Sequence, residues 1–161
     1  MRMATLLLLI LAACSGPYPS DIIRDPAVAD YPAAEHTYLL FDPAEGFRVE
    51  YLAAGGRAVL WAPQGGLVHG LWRIEDGFRI RNMGAHMTRA GEMLCRYFGP
   101  RAPEMLGPAD WECRPRLRAA DEVAAVLAGD PFGLARAAAP PFPFARCRPP
   151  PAFTLARPAA C

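Results

Sequence analysis

The side chains in this sequence that could carry chemistry are few and scattered. Serine occurs only at Ser15 and Ser20, so the hydroxyl nucleophile of an acyl-transfer triad has no position in the body of the chain. Cysteine occurs at Cys14, Cys95, Cys113, Cys147 and Cys161. A cysteine nucleophile needs a free thiol near a histidine; Cys95 in a strand-like stretch and Cys113 two residues after Trp111 suit a structural disulfide better. His69, His86, Met83, Met87 and Met93 form the one cluster with metal chemistry, because imidazoles and thioethers suit copper. Asn82 to Met87 brings three such groups into six residues, yet the spacing matches no copper motif and methionine commonly fills apolar cores. Among the carboxylates, Glu75 and Asp76 read as turn residues and Glu112 as part of a charged strand face. Asp121 and Glu122 read as the first turn of a helix, where the helix dipole favours negative charge. Gly55-Gly56 and Gln64-Gly65-Gly66 lack the flanks of a phosphate loop and read as hairpin turns. No catalytic residue, metal ligand or cofactor site is assigned from this set.

The strongest pattern stands at the start. One positive charge, Arg2, precedes an apolar run from Ala4 to Ala13 centred on Leu6 to Leu11. A run this short cannot cross a bilayer core, which needs about 20 apolar residues, so it reads as a processed targeting segment. Leu11-Ala12-Ala13-Cys14 resembles the lipobox of bacterial lipoproteins: a branched apolar residue, two small residues that fit the signal peptidase, and a cysteine whose sulfur receives a diacylglyceryl group. The resemblance implies cleavage before Cys14 and acylation of its freed amine. A single acyl chain binds membranes only marginally, whereas several give a stable anchor. By the enterobacterial sorting rule, Ser15 after the cysteine, in place of Asp, favours the outer membrane over the inner one, with the protein facing the periplasm.

Composition narrows the remaining classes. Every basic residue is arginine, 17 in all against 16 acidic residues, and removal of Arg2 with the signal leaves a formally neutral chain. A nucleic-acid partner would call for a basic excess gathered on one face, and none is visible. The four cysteines left after Cys14 is acylated suggest two disulfides in an exported protein, with three pairings open. The nearest-neighbour closures, Cys95 with Cys113 and Cys147 with Cys161, are favoured.

The elements that position these groups follow from periodicity. Residues 1–13 are the signal and 14–35 a lipidated tether with scattered prolines. Residues 36–136 form a β-rich domain. There, Phe47, Val49 and Tyr51 alternate with Arg48 and Glu50, Trp72 and Ile74 with Arg73 and Glu75, Phe78 and Ile80 with Arg79 and Arg81, and Trp111 and Cys113 with Glu112 and Arg114. Period two with one wet face marks antiparallel strands over a core; further strands are expected at Tyr38 to Phe41, Arg57 to Ala62 and Met93 to Phe98. The Arg/Glu face reads as a solvated surface. A three-residue loop, Glu75-Asp76-Gly77, sets Ile74 opposite Phe78 and Trp72 opposite Ile80, with Gly77 left-handed. A short helix is expected near 119–128, ending at Gly129. Residues 137–161 form a Pro-rich tail, extended and held by Phe142, Phe144 and Phe153. The fold class is mainly β: a small antiparallel meander or half-barrel with one short C-terminal helix.

Gly56 to Pro63, Gly70 to Ile74, Leu94 to Tyr97 and Trp111 to Pro115 together resemble small uncharacterised envelope proteins of alphaproteobacteria, in which tryptophan and cysteine recur in this order. The resemblance covers about the middle half of the chain and implies one β-rich domain and the Cys95–Cys113 disulfide, with no activity attached. The function expected is a non-enzymatic envelope lipoprotein that binds a protein or glycan partner or serves assembly. The alternative is a half-barrel lined by Phe47, Tyr51, Trp61, Trp72 and Phe78 that holds a lipid or another small apolar ligand.

Overall fold

A computed structural model of the chain describes residues 26–63, 66–76, 91–99, 111–137 and 145–159. The signal sequence, Cys14, Ile22-Ile23, Gly77 to Ala90, Phe142, Phe144 and Cys161 lie outside them.

Seven strands form one antiparallel sheet: β1 His36–Asp42, β2 Gly46–Leu52, β3 Arg57–Ala62, β4 Gly66–Glu75, β5 Met93–Tyr97, β6 Glu112–Pro115 and β7 Val123–Ala128. Their order is β6-β5-β4-β3-β2-β1-β7, a meander whose last strand returns beside the first. The sheet curls into a half-barrel. Strands β6 and β7 stand at opposite ends of the sheet, yet only the short helix α1, Arg116–Ala120, and two turn residues separate them in sequence. The curl brings the ends close enough for so short a bridge.

Local chemistry sets the turns. Between β1 and β2 the Asp42 carboxylate accepts the backbone N–H groups of Ala44 at 2.7 Å and Glu45 at 3.0 Å, an Asx-type turn that Pro43 pre-sets. Gly46 closes it at φ +84°, a conformation that a side chain resists. Gly55 and Gly56, in a 3-10 turn, serve the same purpose between β2 and β3, as the sequence suggests.

One correction concerns an element boundary. The stretch expected as a helix near 119–128 is helical only at its start: α1 covers Arg116–Ala120, and Val123–Ala128 is strand β7, paired antiparallel with β1. Val123, Ala124 and Ala125 are all buried, and an apolar run buried on both faces has no period to separate strand from helix. Pairing with β1 decides the outcome. The register slips between Leu39 and Leu40, leaving Ala124 as an extra, bulged residue. On β5 the cross-strand partners of Ile74 and Trp72 are Leu94 and Arg96; the expected Glu75-Asp76-Gly77 loop, with Phe78 and Ile80 beyond it, runs outside the described residues.

Both faces of the sheet are covered. The concave face holds Tyr38, Leu40, Leu52, Leu60, Leu94 and Val123 with Ala119 and Ala120 of α1, and Tyr31 plugs it from the N-terminal segment. Tyr31 is only 1% exposed, so this end of the expected tether is part of the domain. The convex face holds Leu39, Phe47, Val49, Tyr51 and Trp61 beneath Phe132, Leu134 and Phe153. The tail is thus a strap. Phe47 N donates to Arg146 O at 2.9 Å, the Arg146 guanidinium donates to Ala44 O, Phe153 stacks near Phe132, and Ala156 N donates to Ala124 O at 2.8 Å on the outer edge of β7.

A Cβ on Gly46 would overlap the Cγ and the backbone carbonyl of Arg146. Gly46→Ala should therefore loosen the strap as well as strain the turn, lowering stability by about 1–2 kcal/mol and speeding tryptic cleavage at the Arg146–Cys147 bond. Unchanged cleavage kinetics would show that the tail is not held at this point.

Candidate functional site

Strand β2 reads Gly46-Phe47-Arg48-Val49-Glu50-Tyr51-Leu52, and all seven residues are buried. The odd positions face the convex core. The even positions, expected to be wet, point into the half-barrel: Arg48 is 6% exposed and Glu50 0%. The solvated-surface reading of this face is therefore corrected at β2, where burial is possible only because each charge meets an opposite one.

Glu50 is held by Arg96 of β5 and by Tyr31. Arg96 Nη2 donates to Glu50 Oε2 at 2.8 Å and also bonds the Tyr31 hydroxyl, while Tyr31 donates to the same Oε2 at 3.3 Å. Arg96 Nε lies 2.6 Å from Glu50 Oε1, an ionic contact without the alignment of a hydrogen bond. Burial works most strongly against the Arg96 charge, but Glu50, Tyr31 and Glu122 together outweigh it and hold the guanidinium protonated above its already high range. Burial pushes the Tyr31 hydroxyl well above its ordinary value of 10.0, with the Glu50 carboxylate adding to the rise against Arg96.

A second chain of charges runs along the seam where the sheet ends approach. Arg48 Nη1 meets Glu45 at 2.8 Å and its Nη2 meets Glu122 at 3.0 Å; Arg114 meets the other oxygen of Glu122 at 2.7 Å and Glu112 at 2.5 Å. Glu122 thus takes one arginine from β2 and one from β6. Sequence reasoning placed it in the first turn of a helix, with a dipole role; it follows α1 and bridges arginines of β2 and β6 where the sheet ends approach. The signal available was the alternation of Arg48 and Glu50, which matches a wet face and a neutralised buried face equally well.

The convex face beyond the strap is different in kind. Along β4, β5 and the start of β6 it presents Leu71, 43% exposed, beside Tyr97, its cross-strand neighbour. The Tyr97 and Trp111 rings lie 5.8 Å apart, and the Arg73 guanidinium sits 3.8 Å over the Trp111 ring. Cys95 and Cys113, directly opposed in the register, join here in a disulfide, the first pairing favoured by the spacing. Glu75 lies near both sulfurs, but disulfide sulfurs have no thiolate to offer a metal.

Cys147 is also disulfide-bonded; Cys161, with which the spacing pairs it, and the lipidation candidate Cys14 lie outside the described residues. So do His86, Met83 and Met87 of the copper alternative. His69 is exposed on β4, whereas Met93 is buried on β5. The register Leu71↔Tyr97 sets His69 level with Gly99, so it stands about 20 Å along the sheet from Met93 at 3.3 Å per residue. The aromatics proposed to line one apolar cavity are divided: Phe47, Tyr51 and Trp61 belong to the convex core, Trp72 packs on the concave one, and Phe78 lies outside the described residues.

No family model, no curated protein and no solved structure matches this chain. Among the described residues no helix is long and apolar enough to cross a membrane.

The raised Tyr31 value has a defined consequence for stability. A group whose folded pKa lies above its unfolded one contributes stability below the unfolded value, near 10.0, and loses it as pH rises towards the folded value. Burial raises Tyr38 and Tyr51 in the same direction. Denaturant midpoints should therefore fall above pH 10.0, and Tyr31→Phe, though less stable at neutral pH, should fall less steeply. Equal alkaline slopes would contradict the placement of Tyr31 against Glu50.

Proposed function

We propose that this chain is a membrane-anchored envelope lipoprotein whose β-domain is a non-enzymatic binding or assembly module facing the periplasm. One observation carries the reading: Arg2, the apolar run and Leu11-Ala12-Ala13-Cys14 stand in the order and spacing that lipoprotein processing requires. Acylation of Cys14 supplies an anchor without a membrane span, and Ser15 favours the outer membrane.

The domain's own surfaces support a binding role. Glu50, Arg48 and Arg96 are committed to ion pairs within the half-barrel, which leaves recognition to the outer surface. The strap lies over one part of the convex face, and the part along β4, β5 and the start of β6 offers Leu71, Arg73, Tyr97 and Trp111. Aromatic rings and arginine beside an exposed leucine form the composition enriched where partners dock, and suit an envelope protein or a glycan. The exported compartment also accounts for the Cys95–Cys113 disulfide.

Cys14→Ala should move the protein from the membrane fraction to the soluble fraction while leaving the thermal unfolding of the β-domain unchanged. Crosslinking in intact cells, read by mass spectrometry, should then recover partners at Tyr97 and Trp111. Retention of Cys14→Ala protein on membranes through high salt and carbonate would contradict the anchor.

A further inference from the structure

We propose that the outer surface of α1, centred on Leu117 and Arg118, is the part of the domain that rests on an anionic bilayer surface. This rests on the reading of Cys14 as lipidated. Among the described residues Leu117 is the most exposed large apolar side chain, at 49%. Arg118 beside it is exposed and has no side-chain partner among the described residues. A leucine flanked by arginine is suited to the bilayer interface: the apolar group enters the headgroup boundary while the arginine stem lies along it and its guanidinium meets phosphate.

The position of α1 relative to the anchor makes the choice of occupant. Arg116 Nε donates to Tyr31 O at 2.6 Å, and Val28 packs on the cluster that contains Ala119 and Ala120. The described N-terminal residues therefore run alongside α1. From Val28 back to Cys14 the chain can span at most about 50 Å. A surface beside those residues is held near the bilayer at high effective concentration, so a contact too weak to recruit a free protein suffices to orient a tethered one. Leu71, the next most exposed at 43%, lies on β4 in the convex aromatic patch, which leaves that patch available to a partner.

The test uses the full-length lipidated protein in vesicles of phosphatidylethanolamine and phosphatidylglycerol, with a benzophenone amino acid placed at Leu117 or, in parallel, at Leu71. Lipid adducts should form at position 117 several-fold more than at position 71. Arg118→Glu, which reverses one charge at the anionic surface, should lower the yield at 117 by about fivefold or more. Equal yields at both sites, no adducts at 117 from vesicle-bound protein, or a yield at 117 indifferent to Arg118→Glu would overturn the proposal and leave the anchor standing. Full-length protein that partitions into vesicles no better than Cys14→Ala protein would overturn both.

Discussion

The contact between Glu50 and Arg96 is the constraint on which the shape of this domain depends. Glu50 lies on β2 and Arg96 on β5, three strands apart in the sheet. In a flat sheet that separation is about 14 Å, too wide for these side chains to approach from parallel positions on one face. They meet at 2.6 Å because the sheet curls around them. A buried carboxylate without a partner is costly enough to forbid the arrangement, so the charge in the core selects the curvature that neutralises it. Tyr31 completes the site from outside the sheet, tying the N-terminal segment to the same carboxylate.

The seam repeats the device at lower burial. Arg48 and Arg114 reach Glu122 from β2 and β6, across the place where β6 and β7 approach but do not share a described ladder. Ladder hydrogen bonds would fix that approach along the whole strand; ion pairs fix it at points. Curvature in turn exposes a convex face too apolar to leave bare, and Phe132, Leu134 and Phe153 cover part of it. The part outside that cover carries the Tyr97, Trp111 and Arg73 side chains, and α1 carries Leu117; the proposed partner and bilayer contacts rest on these.

Much of the architecture was legible in the residues. Alternation marked β2, the end of β4 and β6, further strands were expected where β1, β3 and β5 lie, the glycine pair marked the β2–β3 turn, and cysteine spacing anticipated the Cys95–Cys113 bond. Legibility ended where tertiary contacts choose between local states. Val123 to Ala128 has the composition of a helix and becomes a strand because β1 offers a free edge and Val123 to Ala125 are buried on both faces. Arg48 and Glu50 alternate as an exposed face would; beyond the local Glu45, the partners that neutralise them lie 74 residues away at Glu122 and 46 away at Arg96. Trp61 and Trp72 look alike as core residues, but strand parity sends them to opposite faces, which divides the aromatics expected to line a single cavity. The site residues at Cys14 and Cys161 were read from the sequence alone.

The account makes the Glu50–Arg96 pair the organising contact, and a double-mutant cycle on Glu50→Leu and Arg96→Met measured by denaturant unfolding tests it most directly. Each single substitution strands something buried: Arg96→Met leaves the Glu50 charge without its cation, and Glu50→Leu leaves the guanidinium without its anion. Each should cost about 3–5 kcal/mol. The double variant removes both charges and should recover much of that loss, giving a coupling of about 2 kcal/mol or more. Singles that cost under about 1 kcal/mol, or losses that add within about 0.5 kcal/mol, would contradict the claim that this pair sets the curl of the sheet.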